Sequence, residues 1–281
     1  MGANHIHFYE YAKGDLRKTG ERFPKASETV ILKSMLVARS MHPTWLSNSW
    51  LLADRPGGEA VLIDTGGPMA PIQEAIREHN LQLTRVLCTH HHYDHVDHNR
   101  DYAAEYGCPV CAHSAELART PGADTALADG EEVTVGSLSV RALHIPGHTS
   151  GQLAFVVDDR AVFTGDTLFQ GSVGGTRAPD HTRFEDLHHS IMEVLFALPK
   201  EMTIYPGHME TSTLAIEWEH NPFVRVWRGV DAKRNDPVLA CDRPAELLLE
   251  ARDYDGGTKC WVRFEDDDRL DVVPGSRVQA R

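Results

Sequence analysis

Residues 89–95 hold four of the 17 histidines of this chain and read Thr89-His90-His91-His92-Tyr93-Asp94-His95. In an extended chain, residues two apart point the same way, so His90 and His92 can converge on one metal ion. Asp94 and His95 follow at the turn into a helix and can bind a second ion. Imidazole and carboxylate are ligands that zinc, iron and manganese accept. The stretch therefore predicts a metal site with room for two ions.

Three later segments place further ligand types after strand-like runs, where loops gather around a site. They are Ile145-Pro146-Gly147-His148-Thr149, Phe163-Thr164-Gly165-Asp166-Thr167 and Tyr205-Pro206-Gly207-His208. The two Pro-Gly-His turns predict imidazoles at loop tips. A carboxylate such as Asp166 can bridge two ions, because each oxygen can serve a different one.

The pattern around these segments predicts an α/β fold. A first strand is expected over 29–39. A Pro/Gly turn joins SWLLAD to EAVLIDTGG as a hairpin, and a tight acidic turn joins the strands QLAFVVDD and AVFTGD. Helices are predicted over 69–79, 97–106, 183–197 and 211–220. This mixture favours mixed sheets flanked by helices over a doubly wound parallel sheet. We expect a catalytic domain over 1–235 and a small β-rich appendage over 236–281, where KCWVRF and RLDVV look like strands.

The composition of the chain limits which binding partners and which cellular compartment are expected. The formal net charge is -13, from 28 Lys and Arg against 41 Asp and Glu, so most of the surface would repel nucleic acid. No run of about 18 apolar residues and no apolar leader occurs, which predicts no membrane span or signal peptide. Five scattered cysteines do not indicate a disulfide framework, so we expect a reduced, cytoplasmic protein. The oligomeric state is left open.

The ordered pattern H-x-H-x-D-H, P-G-H-T, G-D-T-L-F and P-G-H resembles the metallo-β-lactamase-fold hydrolases, and most closely their glyoxalase II-like branch. The resemblance covers roughly residues 45–225. It implies an αβ/βα sandwich of two mixed β-sheets with the site at one edge. It also implies that Asp166 bridges two divalent ions, with zinc expected first and iron or manganese as alternatives. Metal one would be held by His90, His92 and His148, and metal two by Asp94, His95 and His208.

Two neighbouring cations lower the pKa of a bridging water toward about 7, and the resulting hydroxide can attack a carbonyl. The resemblance to the glyoxalase II-like branch implies that this carbonyl belongs to a small-molecule thioester, and Asp94 could be the proton shuttle to the leaving group. Tyr93, Arg177 and His181 are candidates for contacts with the substrate. His91 is expected to point away from the metal, and His98, His188 and His189 to be solvent-exposed helix residues.

Other functions stay open beside this one. Hydrolysis of a lactone or another ester could use the same centre. A mononuclear iron enzyme resembling persulfide dioxygenases is the alternative in oxidation chemistry, although the complete second ligand set favours two metals. A β-lactamase is disfavoured because Asp166 is typically absent from true β-lactamases, and a flavodiiron protein because those relatives carry Glu at the position of His92. A metal-stabilised binding module or a nuclease-like processing protein is the remaining class.

Two further features have plain structural interpretations. Cys108-Pro109-Val110-Cys111 is a C-x-x-C motif, but it enters a β-branched strand and has no second cysteine pair, which favours buried structural cysteines over redox or zinc chemistry. Four of the five tryptophans are expected to be core residues and not a substrate platform; they are Trp45, Trp50, Trp218 and Trp227.

Overall fold

The computed structural model describes residues 35–281 and contains two six-stranded sheets that face each other. The first sheet has the order β1 to β6. Its strands are Leu36–Met41 (β1), Asn48–Ala53 (β2), Glu59–Ile63 (β3), Gln82–Leu87 (β4), Val110–His113 (β5) and Thr125–Leu127 (β6). Strands β1 to β3 pair antiparallel and β3 to β6 pair parallel, so the sheet is mixed, as the sequence predicted. The first predicted strand lies partly outside the described residues.

The second sheet has the order β14-β13-β10-β9-β8-β7, and it is also mixed because only β10 and β13 run parallel. A two-stranded hairpin, β11-β12, follows β10. The strands are Glu132–Val135 (β7), Leu138–His144 (β8), Leu153–Val157 (β9), Ala161–Gly165 (β10), Leu168–Phe169 (β11), Ser172–Val173 (β12), Thr203–Pro206 (β13) and Ser212–Thr213 (β14).

Helices cover the outer face of each sheet. They are Met69–Glu78 (α1), Tyr93–Val96 (α2), Asn99–Tyr106 (α3), Phe184–His189 (α4), Leu214–His220 (α5) and Pro222–Trp227 (α6). The predicted helix over 183–197 is α4 continued by a π-helical turn, Ser190–Val194, and a 3-10 turn, Leu195–Ala197. Gly107 ends α3 in the left-handed region at φ 64°, which glycine adopts without steric cost.

Three apolar clusters make this a four-layer αβ/βα sandwich. One lies between the sheets and includes Trp50, Phe155 and Phe163. Another joins the first sheet to α1 and α3. The third joins the second sheet to α4 and α6. Burial of these faces is the main driving force for the fold, at roughly 25 cal/mol per Å² of apolar surface.

The C-terminal residues form a five-stranded antiparallel sheet with the order β18-β17-β16-β15-β19. Its strands are Asp236–Ala240 (β15), Arg243–Arg252 (β16), Thr258–Phe264 (β17), Leu270–Pro274 (β18) and Val278–Ala280 (β19). One face has its own small cluster, which includes Phe264. The opposite face places Trp261 and Val272 in the cluster of the second sheet and α4. The sheet therefore shares a core with the sandwich, and whether 236–281 is a domain of its own stays a prediction.

Candidate metal centre

All seven predicted ligands meet at one edge of the sandwich, at the ends of strands of both sheets. His90, His92, Asp94 and His95 follow β4, and His148, Asp166 and His208 follow β8, β10 and β13. Pairing within each sheet aligns these strand ends, and packing of the two sheets brings the two groups of loops together. The ligand atoms fall into three overlapping groups in which every atom lies within 4.8 Å of the others.

The first group consists of His90, His92 and His148. His92 Nδ1 lies 3.0 Å from His148 Nε2. Zinc holds imidazole nitrogens at about 2.0–2.1 Å, which separates two ligands of a tetrahedron by about 3.3 Å. The spacing of this group is therefore close to that of a single coordination sphere.

The second group consists of Asp94, His95 and His208. The Nε2 atoms of His95 and His208 are 3.3 Å apart, and Asp94 Oδ2 lies 3.6 and 3.5 Å from them. Asp166 lies between the groups. Its Oδ1 is 3.3 Å from His95 Nε2, and its Oδ2 is 3.5 Å from His148 Nε2. This carboxylate reaches both groups, as a bridging ligand must.

Each of the five rings is fixed by an oxygen on its outer side. Carbonyl and carboxylate oxygens only accept hydrogen bonds, so a ring nitrogen facing one must donate. Thr89 Oγ1 already donates to Asp64, so it accepts from His90. In the neutral form of each ring, the remaining nitrogen then presents a lone pair to the centre. The outer contacts are His90 Nδ1 to Thr89 Oγ1 (3.0 Å), His92 Nε2 to Pro179 O (3.1 Å), His95 Nδ1 to Asp64 Oδ2 (2.9 Å), His148 Nδ1 to Gly175 O (2.9 Å) and His208 Nδ1 to Trp45 O (3.0 Å).

These lone pairs fit a cation. His90 Nε2 and Asp166 Oδ1 are buried and have no hydrogen-bond partner among the described residues. The facing Nε2 atoms of His95 and His208 repel each other unless something positive lies between them. Buried polar groups without partners are costly, and a divalent ion would satisfy these acceptors together. The donor set, five imidazoles and two carboxylates, is one that zinc, iron and manganese accept.

The electrostatics of the centre agree with this fit. Burial lowers the pKa of His148 to about 3 and holds the pKa of His90 well below its usual value. Both rings are therefore neutral and available as ligands. Burial opposes a charge on His95 as well, but Asp166 and Asp64 raise its pKa well above the usual value. The same carboxylates that attract a proton there would attract a metal ion.

Sequence reasoning missed the groups that hold the ligands, and Asp64 is the main one. Its Oδ1 accepts from the Thr89 N–H at 2.8 Å, and its Oδ2 accepts from Thr89 Oγ1 and His95. Asp64 comes directly after β3 in the run EAVLIDTGG and is 2% exposed. An aspartate ending a wholly apolar strand is the signal that could have revealed it, since a buried carboxylate needs partners.

His91 points away from the ligands, as expected. Its Nδ1 contacts Glu116 in a short hydrogen bond, and its Nε2 lies 3.3 Å from Asp180, which also pairs with Arg119 at 2.9 Å. Glu116 further accepts from the Gly151 N–H at 2.8 Å. This network joins the His90–His92 loop to the loop after His148.

The three candidate substrate residues are placed differently. Arg177 lines a cavity of about 660 Å³ that also borders His148, and it pairs with Asp271 at 3.3 Å. Tyr93 is 61% exposed beside Trp45 and is not among the residues lining this cavity. His181 contacts the Ala178 carbonyl at 2.8 Å and also lies outside the lining.

Two other expectations have clear outcomes. Cys108 and Cys111 are buried free thiols, and burial raises the pKa of Cys111 to about 11, which disfavours the reactive thiolate. Trp50 is buried, but the expectation that Trp45 is a core residue was wrong. Trp45 is partly exposed, stacks on His42 with 4.2 Å between ring centroids, and supports His208 through its carbonyl.

Residues 42–208, more than half of the chain, match the family model of the metallo-beta-lactamase superfamily. The chain belongs to this superfamily. The matched segment begins just before β2 and ends at His208, so the C-terminal sheet lies beyond it.

Relatives within the metallo-beta-lactamase superfamily support the glyoxalase II-like branch. A hydroxyacylglutathione hydrolase of Methylococcus capsulatus is 40% identical over 174 residues, which cover 62% of this chain and 66% of that protein. A probable polyketide biosynthesis zinc-dependent hydrolase of Bacillus velezensis, BaeB, is 31% identical over 176 residues, covering 60% of this chain and 76% of that protein. These similarities support a metal-dependent hydrolase.

Solved structures of the metallo-beta-lactamase fold superpose on the sandwich. ETHE1 from Myxococcus xanthus is 29% identical with a TM-score of 0.59, over 67% of this chain and 84% of that chain. TTHA1623 in a di-iron-bound form is 29% identical with a TM-score of 0.57, over 66% of this chain and 98% of that chain. Among residues 35–281, no helix combines the length and apolarity needed to cross a bilayer.

Proposed function

We propose that this protein is a dinuclear metal-dependent hydrolase that cleaves a small-molecule thioester. The observation that carries the proposal is Asp166, whose two oxygens reach both ligand groups while Oδ1 has no hydrogen-bond partner among the described residues. His90, His92 and His148 would hold one ion, and Asp94, His95 and His208 the other. Similarity to a hydroxyacylglutathione hydrolase and to a zinc-dependent hydrolase supports both the reaction class and zinc.

Two divalent cations lower the pKa of coordinated water toward about 7 and polarise a carbonyl, which is the chemistry that the bound metals would supply. The chain positions that chemistry by fixing the rings from outside, so little reorganisation is needed during the reaction. His148 borders the cavity of about 660 Å³, so a carbonyl bound there would lie beside the centre.

Asp94 is the residue suited to moving a proton. Its side chain is 28% exposed, whereas that of Asp166 is 9% exposed. A carboxylate at the edge of the centre can take a proton released during hydrolysis and deliver it to the departing thiolate. One water is consumed, and the products are then a carboxylate, a neutral thiol and one proton released to solvent.

The test pairs metal analysis with turnover of S-lactoylglutathione and an aryl thioester. The wild-type protein is expected to hold two ions per chain and to hydrolyse at least one of these substrates. Asp166→Asn keeps the size of the side chain but removes its charge, so metal content and turnover should fall together. Asp101→Asn, an exposed carboxylate on α3, is the matched control and should change neither. Full turnover in Asp166→Asn would refute the bridging role.

Two alternatives stay open on the same centre. Ester or lactone hydrolysis needs the same residues and differs only in the substrate. The similarity to ETHE1 favours keeping a mononuclear iron oxidation as the second candidate. One iron per chain, with oxygen consumption on a persulfide and no thioester turnover, would replace the hydrolase proposal with this one.

A further inference from the structure

The turn between β16 and β17 brings the C-terminal sheet to the edge of the metal centre. Tyr254, in this turn, stacks on the ring of His208 with centroids 4.2 Å apart and an interplanar angle of 13°. It also contacts Phe169 of β11 at 5.2 Å between centroids. A residue that lies outside the superfamily match therefore covers one of the proposed metal ligands.

Two side chains anchor this turn to the segment that follows Asp166. Asp253 accepts a hydrogen bond from Ser172 Oγ at 2.8 Å. Lys259, which is 6% exposed, donates to the Val173 carbonyl at 2.8 Å and pairs with Asp253 at 3.1 Å. Buried charge-assisted contacts of this kind hold a geometry firmly, since losing one partner leaves a charge uncompensated. The position of Tyr254 is thus set before any ligand binds.

The anchored turn also forms a wall of the cavity that His148 borders. Tyr254 and Lys259 line it from the C-terminal sheet, and Gly175 and Arg177 line it from the loop after β12. Tyr254 itself donates a hydrogen bond from its backbone N–H to Asp253 Oδ1 at 2.9 Å. A Cβ added at Gly175 would approach only the Val272 carbonyl, at 3.5 Å, so the space beside the wall is open.

We propose that the C-terminal sheet completes the substrate pocket and that Tyr254 contacts the substrate, donating a hydrogen bond from its hydroxyl. The inference rests on the proposed function for the identity of the substrate, a thioester, but the placement of the wall does not depend on it. Sites built on a rigid scaffold define specificity through a few convergent polar groups, and Tyr254 provides such a group above the metal centre.

The test compares full-length zinc-loaded Tyr254→Phe and Tyr254→Ala with Tyr106→Phe, a tyrosine on α3 that lies outside the cavity lining. Loss of the hydroxyl alone should lower kcat/KM on the aryl thioester about tenfold at unchanged zinc content, which is the effect of one lost hydrogen bond. Loss of the ring should also raise KM. Tyr106→Phe should match the wild type. Unchanged kcat/KM in both Tyr254 variants would overturn the proposal.

A binding readout separates this inference from the proposed function. The protein is labelled with 3-fluorotyrosine, and the 19F resonance of residue 254 is the one missing in Tyr254→Phe. The probe is phenylthioacetone, a ketone that resembles an aryl thioester but cannot be hydrolysed. Its addition should shift the resonance of residue 254 even if no thioester is turned over. A resonance that stays unmoved up to the solubility limit of the ketone would overturn the proposal, whatever the protein hydrolyses.

Discussion

Asp64 lies outside the proposed coordination sphere, and we expect it to control the metal affinity. It fixes His95 and Thr89, and Thr89 in turn fixes His90, so both ligand groups depend on it. In Asp64→Asn one carboxylate oxygen becomes an amide NH2, and this donor must face either His95 and Thr89 Oγ1 or the Thr89 N–H, which are donors themselves. Substitution of such supporting groups typically lowers metal affinity about 10–100-fold. We expect that loss, measured by competition with a chromophoric chelator.

The matched control is Asp54→Asn. Asp54 is 1% exposed and also follows a strand of the first sheet, but it pairs with Arg55 and the Ser137 N–H. Its substitution should leave metal affinity unchanged. If Asp64→Asn and Asp54→Asn lost the same metal affinity, Asp64 would act through the general stability of the fold and not through His95.

A second residue gives a pH-dependent prediction. Burial raises the pKa of Glu217, which accepts hydrogen bonds from Ser212, Gly171 and Asn221. A raised pKa means that the folded protein binds the proton more tightly than the unfolded chain. The stability contribution of Glu217 is therefore present at low pH and is lost as pH rises above its usual value of 4.5.

Glu217→Gln cannot ionise, so its free energy of unfolding should improve relative to the wild type as the pH rises from 4.5 to 8. Glu217→Ala leaves three donors unsatisfied and should cost roughly 1–3 kcal/mol at pH 4.5; this cost should shrink as the pH rises, because the wild type loses stability and the Ala variant does not. Urea unfolding at both pH values measures these differences. If the free energies of unfolding of Glu217→Gln and the wild type differed by the same amount at both pH values, the raised pKa of Glu217 would be contradicted.

At the scale of elements, adjacent glycines after β12 have opposite steric surroundings. A Cβ at Gly174 would lie 2.0 Å from the Asp166 carbonyl oxygen, whereas a Cβ at Gly175 meets nothing closer than 3.5 Å. Gly174→Ala should therefore displace the backbone of Asp166 and lower metal content, while Gly175→Ala should not. Metal analysis of the two purified proteins tests this. Full metal content in Gly174→Ala would show that the hairpin can shift without disturbing Asp166.

The elements themselves could largely be predicted from periodicity and turn residues. The Pro/Gly turn at 55–58 separates two short apolar runs, which predicted the hairpin that β2 and β3 form. The predicted helix over 183–197 contains a π-helical turn at Ser190–Val194, which periodicity cannot reveal. The sequence also could not reveal that Tyr254 stacks on His208, because the two residues lie 46 positions apart and meet only through tertiary packing.

At the scale of the whole molecule, the C-terminal sheet should unfold together with the sandwich. Trp261 of β17 stacks with Phe184 of α4 at 5.4 Å between centroids and lies near Trp227 of α6. Trp261→Ala should cost about 3–5 kcal/mol, as large-to-small core substitutions do. Far-UV circular dichroism and tryptophan fluorescence should give one coincident transition in the wild type. Two separate transitions would show that the sheet folds independently.

Metal removal should destabilise the entire chain, because the ligands come from both sheets. A ligand that binds only the folded state adds about 2.7 kcal/mol when its free concentration is 100-fold above Kd. Treatment with EDTA should therefore lower the Tm of the wild type, and subsequent addition of zinc should restore it. The Tm of Asp166→Asn should change little on treatment with EDTA or on addition of zinc. An unchanged wild-type Tm would contradict a metal centre that joins the two sheets.

The sequence by itself determined the proposed ligands, their order and the strand ends that carry them, because these depend on local spacing and turn chemistry. It could not determine which groups orient the rings or what covers the centre. Asp64, Trp45 and Tyr254 act through contacts between residues distant in sequence. Such contacts exist only once the two sheets and the C-terminal sheet have packed, so tertiary structure alone decided them.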